Sequence, residues 1–188
     1  MIYTNNKILT SNDLKIIWGN DWNSFKKRLS YNLKTKKLIK IRKWLYVLGG
    51  EIENLQMDDY YFIANSIYTP SYISFETVLI KHGVNFQYYS NIFVASKYKK
   101  DIWIKALNLN LEYIKIPDWL LTNPIWINNV NGYNIASIER AICDVIFRSG
   151  SYHFDNFSRD INKNSLLEIA KIYDNYKKGF KDKISAII

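Results

Sequence analysis

The sequence predicts an α+β fold, with a small basic unit at the N-terminus and a larger neutral unit behind it. Residues 1–48 hold eleven Lys and Arg but only two acids, whereas the remaining 140 residues hold fifteen of each. Helical four-residue spacing and short β-prone runs alternate along the chain, which is typical of an α+β protein. The charge asymmetry predicts that the N-terminal unit meets an anionic partner, as in a nucleic-acid-binding module joined to a second domain.

Bulk composition narrows the class of protein. The 188 residues are 48% hydrophobic, which is enough for a folded core. The single cysteine, Cys143, excludes an intramolecular disulfide and a cysteine-cluster metal site. The N-terminus lacks the pattern of a signal peptide, and no apolar run approaches the ~18 residues of a membrane span. We therefore expect a cytoplasmic protein with no membrane association, no metal and no cofactor.

The first elements are two helices separated by a turn. A hydroxyl cap at residues 10–11, an early acid and a closing Gly19 predict a short first helix. Asn23 or Ser24 is then predicted to cap a second helix that runs to about Lys36.

The second helix is amphipathic. Phe25, Leu29 and Leu33 recur every fourth residue and form its apolar face. At 100° per residue the opposite face is basic, with one aromatic ring and one hydroxyl, which suits the major groove of DNA. The candidate DNA contacts on this helix are Ser24, Lys26, Lys27, Arg28, Tyr31 and Lys34.

Two β-prone runs follow, Leu38–Ile41 and Trp44–Leu48, on either side of a basic tip. Helix, turn, basic helix and hairpin is the order of a winged helix-turn-helix, whose second helix enters the groove while the hairpin lies along phosphates. The sequence thus predicts such a DNA-binding domain over residues 1–48. Further candidate contacts are Lys37, Lys40, Arg42 and Lys43. RNA is disfavoured, because no stacking platform of the single-strand type is recognisable.

Residues 49–54 are predicted to form a linker, and residues 55–188 a mixed α+β domain with a helical tail from about 157. Caps and apolar stripes predict its helices: from Asp58 or Asp59 to Tyr68, Ser74–Gly83, Ser137–Arg148, Asn164–Lys177 and one from Lys181. Continuous apolar or alternating runs predict its strands: Asn91–Ser96, Ile102–Leu107, Leu111–Ile116 and a hairpin over 125–135 turned at Asn131-Gly132. Pro117-Asp118-Trp119 is predicted to be a turn.

Three stretches resemble the AbiEi-type antitoxins of bacterial type IV toxin–antitoxin systems. Thr69–Gly83 (TPSYISFETVLIKHG) and Tyr133–Phe147 (YNIASIERAICDVIF) are similar to motifs of that family. Ile8–Leu48 resembles its winged helix, including the exit strand Leu45-Tyr46-Val47. The likeness covers Ile8–Phe147 and does not extend to the tail, residues 158–188.

The resemblance implies a DNA-binding autorepressor that counteracts a nucleotidyltransferase-like toxin, with or without stable contact between the two proteins. In such a protein the basic domain represses its own promoter, which is expected to contain inverted repeats. Two other classes stay open. One is an interaction protein whose basic domain docks on an acidic protein, and the other is a nucleic-acid-cleaving enzyme.

The residues give little sign of catalysis. Glu139 and Asp144 are five positions apart on one predicted helix, which separates them by about 140°. Glu139 and Glu76 are each near a predicted helix start, where a carboxylate favours the helix dipole. Cys143 is on the stripe side of an apolar helix and is expected to be a buried, unreactive thiol. We therefore predict no enzyme activity.

Overall fold

The computed structural model describes residues 7–87, 89–157 and 161–187. Residues 1–6 of the predicted DNA-binding domain, and residues 158–160 and 188 of the predicted tail, lie outside these described residues. The chain combines helices and strands in an α+β fold, as the sequence predicts. The N-terminal unit contains β1 (Ile8–Thr10), α1 (Ser11–Trp18), α2 (Trp22–Lys34), β2 (Leu38–Arg42) and β3 (Leu45–Leu48).

The two predicted helices of this unit form close to their predicted limits. The Thr10 hydroxyl accepts the backbone N–H of Asp13 while the Asp13 carboxylate accepts the backbone N–H of Thr10, which satisfies two free donors at the start of α1. The predicted cap of α2 is wrong by two or three residues. Asp21, and not Asn23 or Ser24, caps this helix, because its carboxylate accepts the Ser24 N–H at 2.8 Å.

Strand β1 was not predicted from the sequence. β1 and β2 both pair antiparallel with β3, in the order β1-β3-β2. β1 is three residues long and carries no periodicity of its own. It forms because its backbone pairs with the edge of β3, with Ile8 opposite Val47.

A 3₁₀ helix, Gly49–Asn54, follows β3 where a linker was predicted. The larger unit then contains a six-stranded mixed sheet in the order β6-β7-β5-β4-β9-β8. The strands of this sheet are β4 (Ser71–Ile73), β5 (Asn91–Ser96), β6 (Lys100–Ile104), β7 (Leu109–Lys115), β8 (Ile127–Val130) and β9 (Tyr133–Ala136). Its helices are α3 (Met57–Ile67), α4 (Glu76–Lys81), α5 (Asp118–Leu121), α6 (Ile138–Ser149), α7 (Lys163–Asp174) and α8 (Phe180–Ser185).

Several predicted boundaries in this unit are wrong. Residues 71–73 form strand β4, so the helix predicted from Ser74 begins only at Glu76. The strand predicted over 102–107 ends at Ile104, and the predicted turn at Pro117 leads into helix α5. β4 was missed for the same reason as β1: it is short, and it is held by pairing with β5 and β9 on either side.

The N-terminal sheet lies between two apolar clusters. On one face Leu14, Phe25, Leu38 and Tyr46 form a small core beneath α1 and α2. On the other face Ile8, Leu45 and Val47 join the large core of the second unit. Since alternate residues of a strand point to opposite faces, Tyr46 and its neighbours in β3 serve both cores.

The tail helices complete the large core. Leu166, Ile169 and Tyr173 of α7 and Phe180 and Ile184 of α8 are all buried in it. The tail is therefore an integral layer of the second unit. Within the described residues, no helix combines the length and apolarity needed to cross a membrane.

Candidate nucleic-acid interface

The outward face of α2 is held in place by the small core. Phe25 is 4% exposed and packs against Trp18 of α1 and the rest of the small core, so α2 cannot rotate without losing these contacts. The predicted DNA-facing residues Ser24, Lys26, Lys27, Arg28, Tyr31 and Lys34 are all exposed, as are Lys37, Lys40 and Lys43.

The charge of this face is not neutralised internally. None of the Lys and Arg side chains from Lys15 to Lys43 forms an ion pair with an acid in the part of the chain that the structure describes. Lys7, which precedes that group, does reach an acid, with its Nζ 3.2 Å from the Asp59 carboxylate. Like charges held together repel one another, so this surface favours an anionic partner.

Asp21 is the acid nearest to this face in sequence. The backbone N–H and the side-chain hydroxyl of Ser24 both donate to its carboxylate and lower the pKa of Asp21 below its ordinary value. Ser24, expected to contact a base, is therefore engaged at the start of its own helix. Arg28 also has an internal contact, since its guanidinium lies 3.4 Å from the Trp18 carbonyl at the end of α1.

The hairpin tip differs from the prediction by one residue. The register of β2 against β3 shifts between Lys40 and Arg42, which places Arg42 opposite Leu45 and leaves Lys43 and Trp44 as the turn. Trp44, predicted to start a strand, instead has a φ of +70°. Such a shift is a β-bulge, which increases the local twist and redirects the side chains of the tip.

Arg42 does not project with Lys43. It is half-buried, and its guanidinium donates to the Tyr68 hydroxyl at 3.3 Å and lies 5.5 Å from that ring. Of the two bases predicted to contact phosphates from the hairpin tip, the structure leaves Lys43 exposed and turns Arg42 toward α3 of the second unit.

Exposed aromatic rings lie among the lysines, and the sequence predicted only one of them, Tyr31. Trp22 is 54% exposed and Trp44 is 62% exposed. The Lys26 ammonium lies 4.7 Å from the centre of the Trp22 ring, and that of Lys43 lies 4.5 Å from the Trp44 ring. Trp44 follows two basic residues in the sequence, which is the signal that could have drawn attention to it.

A second group of polar residues lies deep in the larger unit. Asp144 accepts hydrogen bonds from the hydroxyls of Ser74 at 2.7 Å, Tyr173 at 2.5 Å and Tyr72 at 3.1 Å. Arg140 donates to the Tyr72 hydroxyl and to two backbone carbonyls. All five side chains are at most 1% exposed. These hydrogen bonds connect α6 with α7 and β4.

Burial sets the titration of this group. It raises the pKa of the Tyr72 and Tyr173 phenols well above the ordinary value, and the charge of Asp144 raises both further. Burial alone would lower the pKa of Arg140, but Tyr173, Asp144 and Tyr72 together raise it. Arg140 therefore stays a cation.

Glu76 and Glu139 are in the first turns of α4 and α6, as predicted, and each has a further contact. Glu76 forms an ion pair with Arg148 in addition to standing at the start of α4. Glu139 accepts the backbone N–H of Asn162 and so ties α6 to the tail. The prediction for Cys143 is confirmed, since the thiol is fully buried and burial raises its pKa well above the ordinary value. Within the described residues, no three His, Cys, Asp or Glu side chains converge in a way that could hold a metal ion.

Comparison with known proteins leaves the geometry as the main guide. Neither the models of known protein families nor the curated proteins gave a match to this chain.

Proposed function

We propose that this chain is a cytoplasmic antitoxin of a type IV toxin–antitoxin pair that represses its own promoter by binding double-stranded DNA. The DNA-binding half of the proposal rests on one observation above all. The outward face of α2 and the hairpin tip carry exposed basic side chains with no acidic partner among the described residues. Phosphates would neutralise them and release condensed counterions.

The arrangement of elements supports duplex DNA as the anion. A strand, two helices and a β-hairpin follow one another over residues 8–48, and the exposed face of the second helix is fixed by Phe25. In the winged-helix mode, α2 would enter the major groove and Lys43 would contact the backbone. Two copies would be needed on inverted repeats.

The antitoxin half rests on the resemblance of Thr69–Gly83 and Tyr133–Phe147 to AbiEi-type antitoxins. These two stretches pack against each other: β4 pairs with β9 at Ile73 and Ile135, and Tyr72 donates to Asp144. The proposal assigns this unit the task of counteracting a nucleotidyltransferase-like toxin.

A gel shift with the chain's own promoter tests the DNA-binding half. We expect wild type to shift the fragment and the double variant Lys27→Ala/Arg28→Ala to lose the shift. The matched control is Lys99→Ala/Lys100→Ala, an exposed basic pair at the start of β6 in the neutral unit. An undiminished shift by the first variant would show that α2 is not the recognition helix. No shift by wild type, together with capture of an acidic protein, would favour the docking alternative.

The reading frame next to this chain's gene tests the antitoxin half: we expect it to encode a nucleotidyltransferase-like protein whose expression arrests growth. Rescue of growth by both wild type and Lys27→Ala/Arg28→Ala would support an assignment of repression to the basic unit and of protection to the second unit. Failure of wild type to rescue would contradict the antitoxin role and leave the DNA-binding half standing.

A further inference from the structure

A small pocket lies between α2 and the hairpin. Its volume is about 220 Å³, and its walls include the rings of Trp22, Phe25 and Trp44 and the side chains of Lys15, Lys40 and Lys43. Aromatic residues and three lysines thus line one concavity on the basic surface.

The pocket is built rather than incidental. Trp22 stacks on Phe25 with an interplanar angle of 8°, and the Trp44 carbonyl accepts the Ser11 N–H at 3.0 Å, which anchors the hairpin turn to the start of α1. Both Trp rings are nevertheless more than half exposed at its rim. The ammonium groups of Lys26 and Lys43 lie over these rings, and because lysine side chains are flexible they can move aside for a flat ligand.

The chemistry of the walls selects one kind of ligand. Flat aromatic rings bind another flat ring by stacking, and lysines placed around them bind negative charge. A nucleotide has both parts, a base with two π-faces and a phosphate. In an intact duplex the bases are stacked on one another and cannot offer a face to the pocket.

We infer that this pocket binds an unpaired nucleotide of a DNA strand, with the base against Trp22 and Trp44 and the adjacent phosphates near Lys15, Lys40 and Lys43. The inference deepens the proposed DNA-binding function and rests on it. It adds a preference for DNA in which a single-stranded segment adjoins a duplex. The duplex lies on the outward face of α2, and the first unpaired base enters the pocket beside it.

Fluorescence anisotropy with three probes tests this inference: a blunt duplex, the same duplex with a single-stranded thymidine tail, and free thymidine monophosphate as competitor. We expect wild type to bind the tailed duplex roughly 5- to 100-fold more tightly than the blunt one, the gain that corresponds to one stacked base. Free monophosphate is expected to compete weakly, because it lacks the duplex contacts.

The informative variant is Trp44→Asn. Asn tolerates the positive φ of this position, so the ring is removed without straining the turn. We expect the ratio of tailed-duplex to blunt-duplex affinity to fall to about one, a readout that is independent of any loss of duplex contact at Lys43, which lies against the Trp44 ring. Trp44→Phe, which keeps a flat ring, should retain part of the preference. Trp103→Asn, at a 53% exposed tryptophan of β6 outside the pocket, is the control.

Each remaining outcome would overturn the inference in a distinct way. Equal affinity of wild type for blunt and tailed duplex would contradict binding of an unpaired nucleotide but would not contradict duplex binding. Free monophosphate that competes as strongly as tailed DNA would make the pocket a site for free nucleotides. Failure to bind either DNA would remove both this inference and the proposed function.

Discussion

Arg140 and Asp144 stand one turn apart on α6 with both side chains buried, and the Arg140 Nε lies 3.5 Å from a carboxylate oxygen of Asp144. The hydrogen bonds of this pair reach β4 through Tyr72, α7 through Tyr173, and α5 and the loop after it through two backbone carbonyls. A buried charge is tolerated only when it is paired and hydrogen-bonded, so each member of the pair depends on the other.

Replacing Asp144 with Ala should therefore lower the free energy of unfolding by about 3–5 kcal/mol, because the Arg140 cation stays buried without its counter-charge. Urea denaturation followed by circular dichroism measures the change. The double variant Arg140→Met/Asp144→Leu should lose less than Asp144→Ala alone, since it removes both charges. Asp101→Asn, at an exposed acid of β6, is the control. A loss below about 1 kcal/mol for Asp144→Ala would contradict the pairing.

Residue 49 must be a glycine because another part of the chain approaches it closely, and not because of its φ. A Cβ at this position would lie 1.8 Å from the Lys36 carbonyl oxygen, whereas a Cβ at Gly50 would meet nothing within 4 Å. The backbone N–H of Gly49 also donates to the Lys37 carbonyl at 2.9 Å. The segment between α2 and β2 is thus held against the end of β3 only if residue 49 has no side chain.

Gly49→Ala should accordingly destabilise the protein by at least about 2 kcal/mol, the range of backbone and overpacking effects. Gly50→Ala should change the free energy of unfolding by no more than about 1 kcal/mol, and in the stabilising direction, because it only restricts the unfolded chain. Thermal unfolding of the two variants side by side gives the comparison. Equal melting temperatures would mean that residues 36 and 49 do not approach each other as closely as described.

The local signals of the chain predicted its local structures well. The helix predicted from Ser137 begins there, with Ser137 as its N-cap, and the Asn131-Gly132 turn is also found, with φ of +48° and +84°. β1 and β4 could not be predicted in the same way. Each is three residues long and is held by a partner far along the chain, as Ile73 is by Ile135.

The candidate interface was predicted as a helix face but not as a pocket. Periodicity alone identifies the outward residues of α2, and these are exposed. The position of Trp44 depends on the bulge between Lys40 and Arg42, which no residue pattern announces. The burial of Arg140 was equally hidden, because it depends on residues distant in sequence, such as Tyr72 of β4 and Tyr173 of α7, that pack on the polar side of α6.

Alkaline pH should destabilise the fold through its buried phenols. Burial, with a further contribution from Asp58, raises the pKa of Tyr61 to about 12. An unfolded tyrosine titrates near pH 10. Because the folded-state pKa is the higher one, the stabilisation is complete below about pH 10 and is lost as the pH rises toward about 12. The urea midpoint should therefore fall over this interval.

Tyr61→Phe should weaken that fall, because phenylalanine has no proton to release. The exposed Tyr31 provides the control variant, Tyr31→Phe, which should follow the wild-type curve. Tyrosinate absorbance recorded in parallel should rise in step with unfolding for the buried phenols. A midpoint as flat in wild type as in Tyr61→Phe between about pH 10 and 12 would contradict the assignment.

Salt should weaken DNA binding, and the steepness of the salt dependence should report the number of phosphate contacts. Each Lys or Arg on a phosphate contributes about −0.9 to the slope of log K against log salt concentration, so about six contacts would give a slope near −5. Lys27→Ala should reduce the slope by about one, because the Lys27 ammonium is exposed and has no acidic partner among the described residues. Arg42→Ala should leave it nearly unchanged, since Arg42 is turned toward Tyr68.

Comparing Lys27→Ala with Arg42→Ala distinguishes defined phosphate contacts from a general electrostatic attraction between the basic unit and DNA. Both variants remove one positive charge from residues 1–48, so a general attraction between the basic unit and DNA would lower the two slopes equally. If binding depends on defined phosphate contacts, only Lys27→Ala lowers the slope. Titrations of a labelled promoter fragment at several salt concentrations measure both slopes, with Lys99→Ala/Lys100→Ala as the control outside the basic unit. Equal slopes for Lys27→Ala and Arg42→Ala would contradict the proposed orientation of the hairpin on DNA.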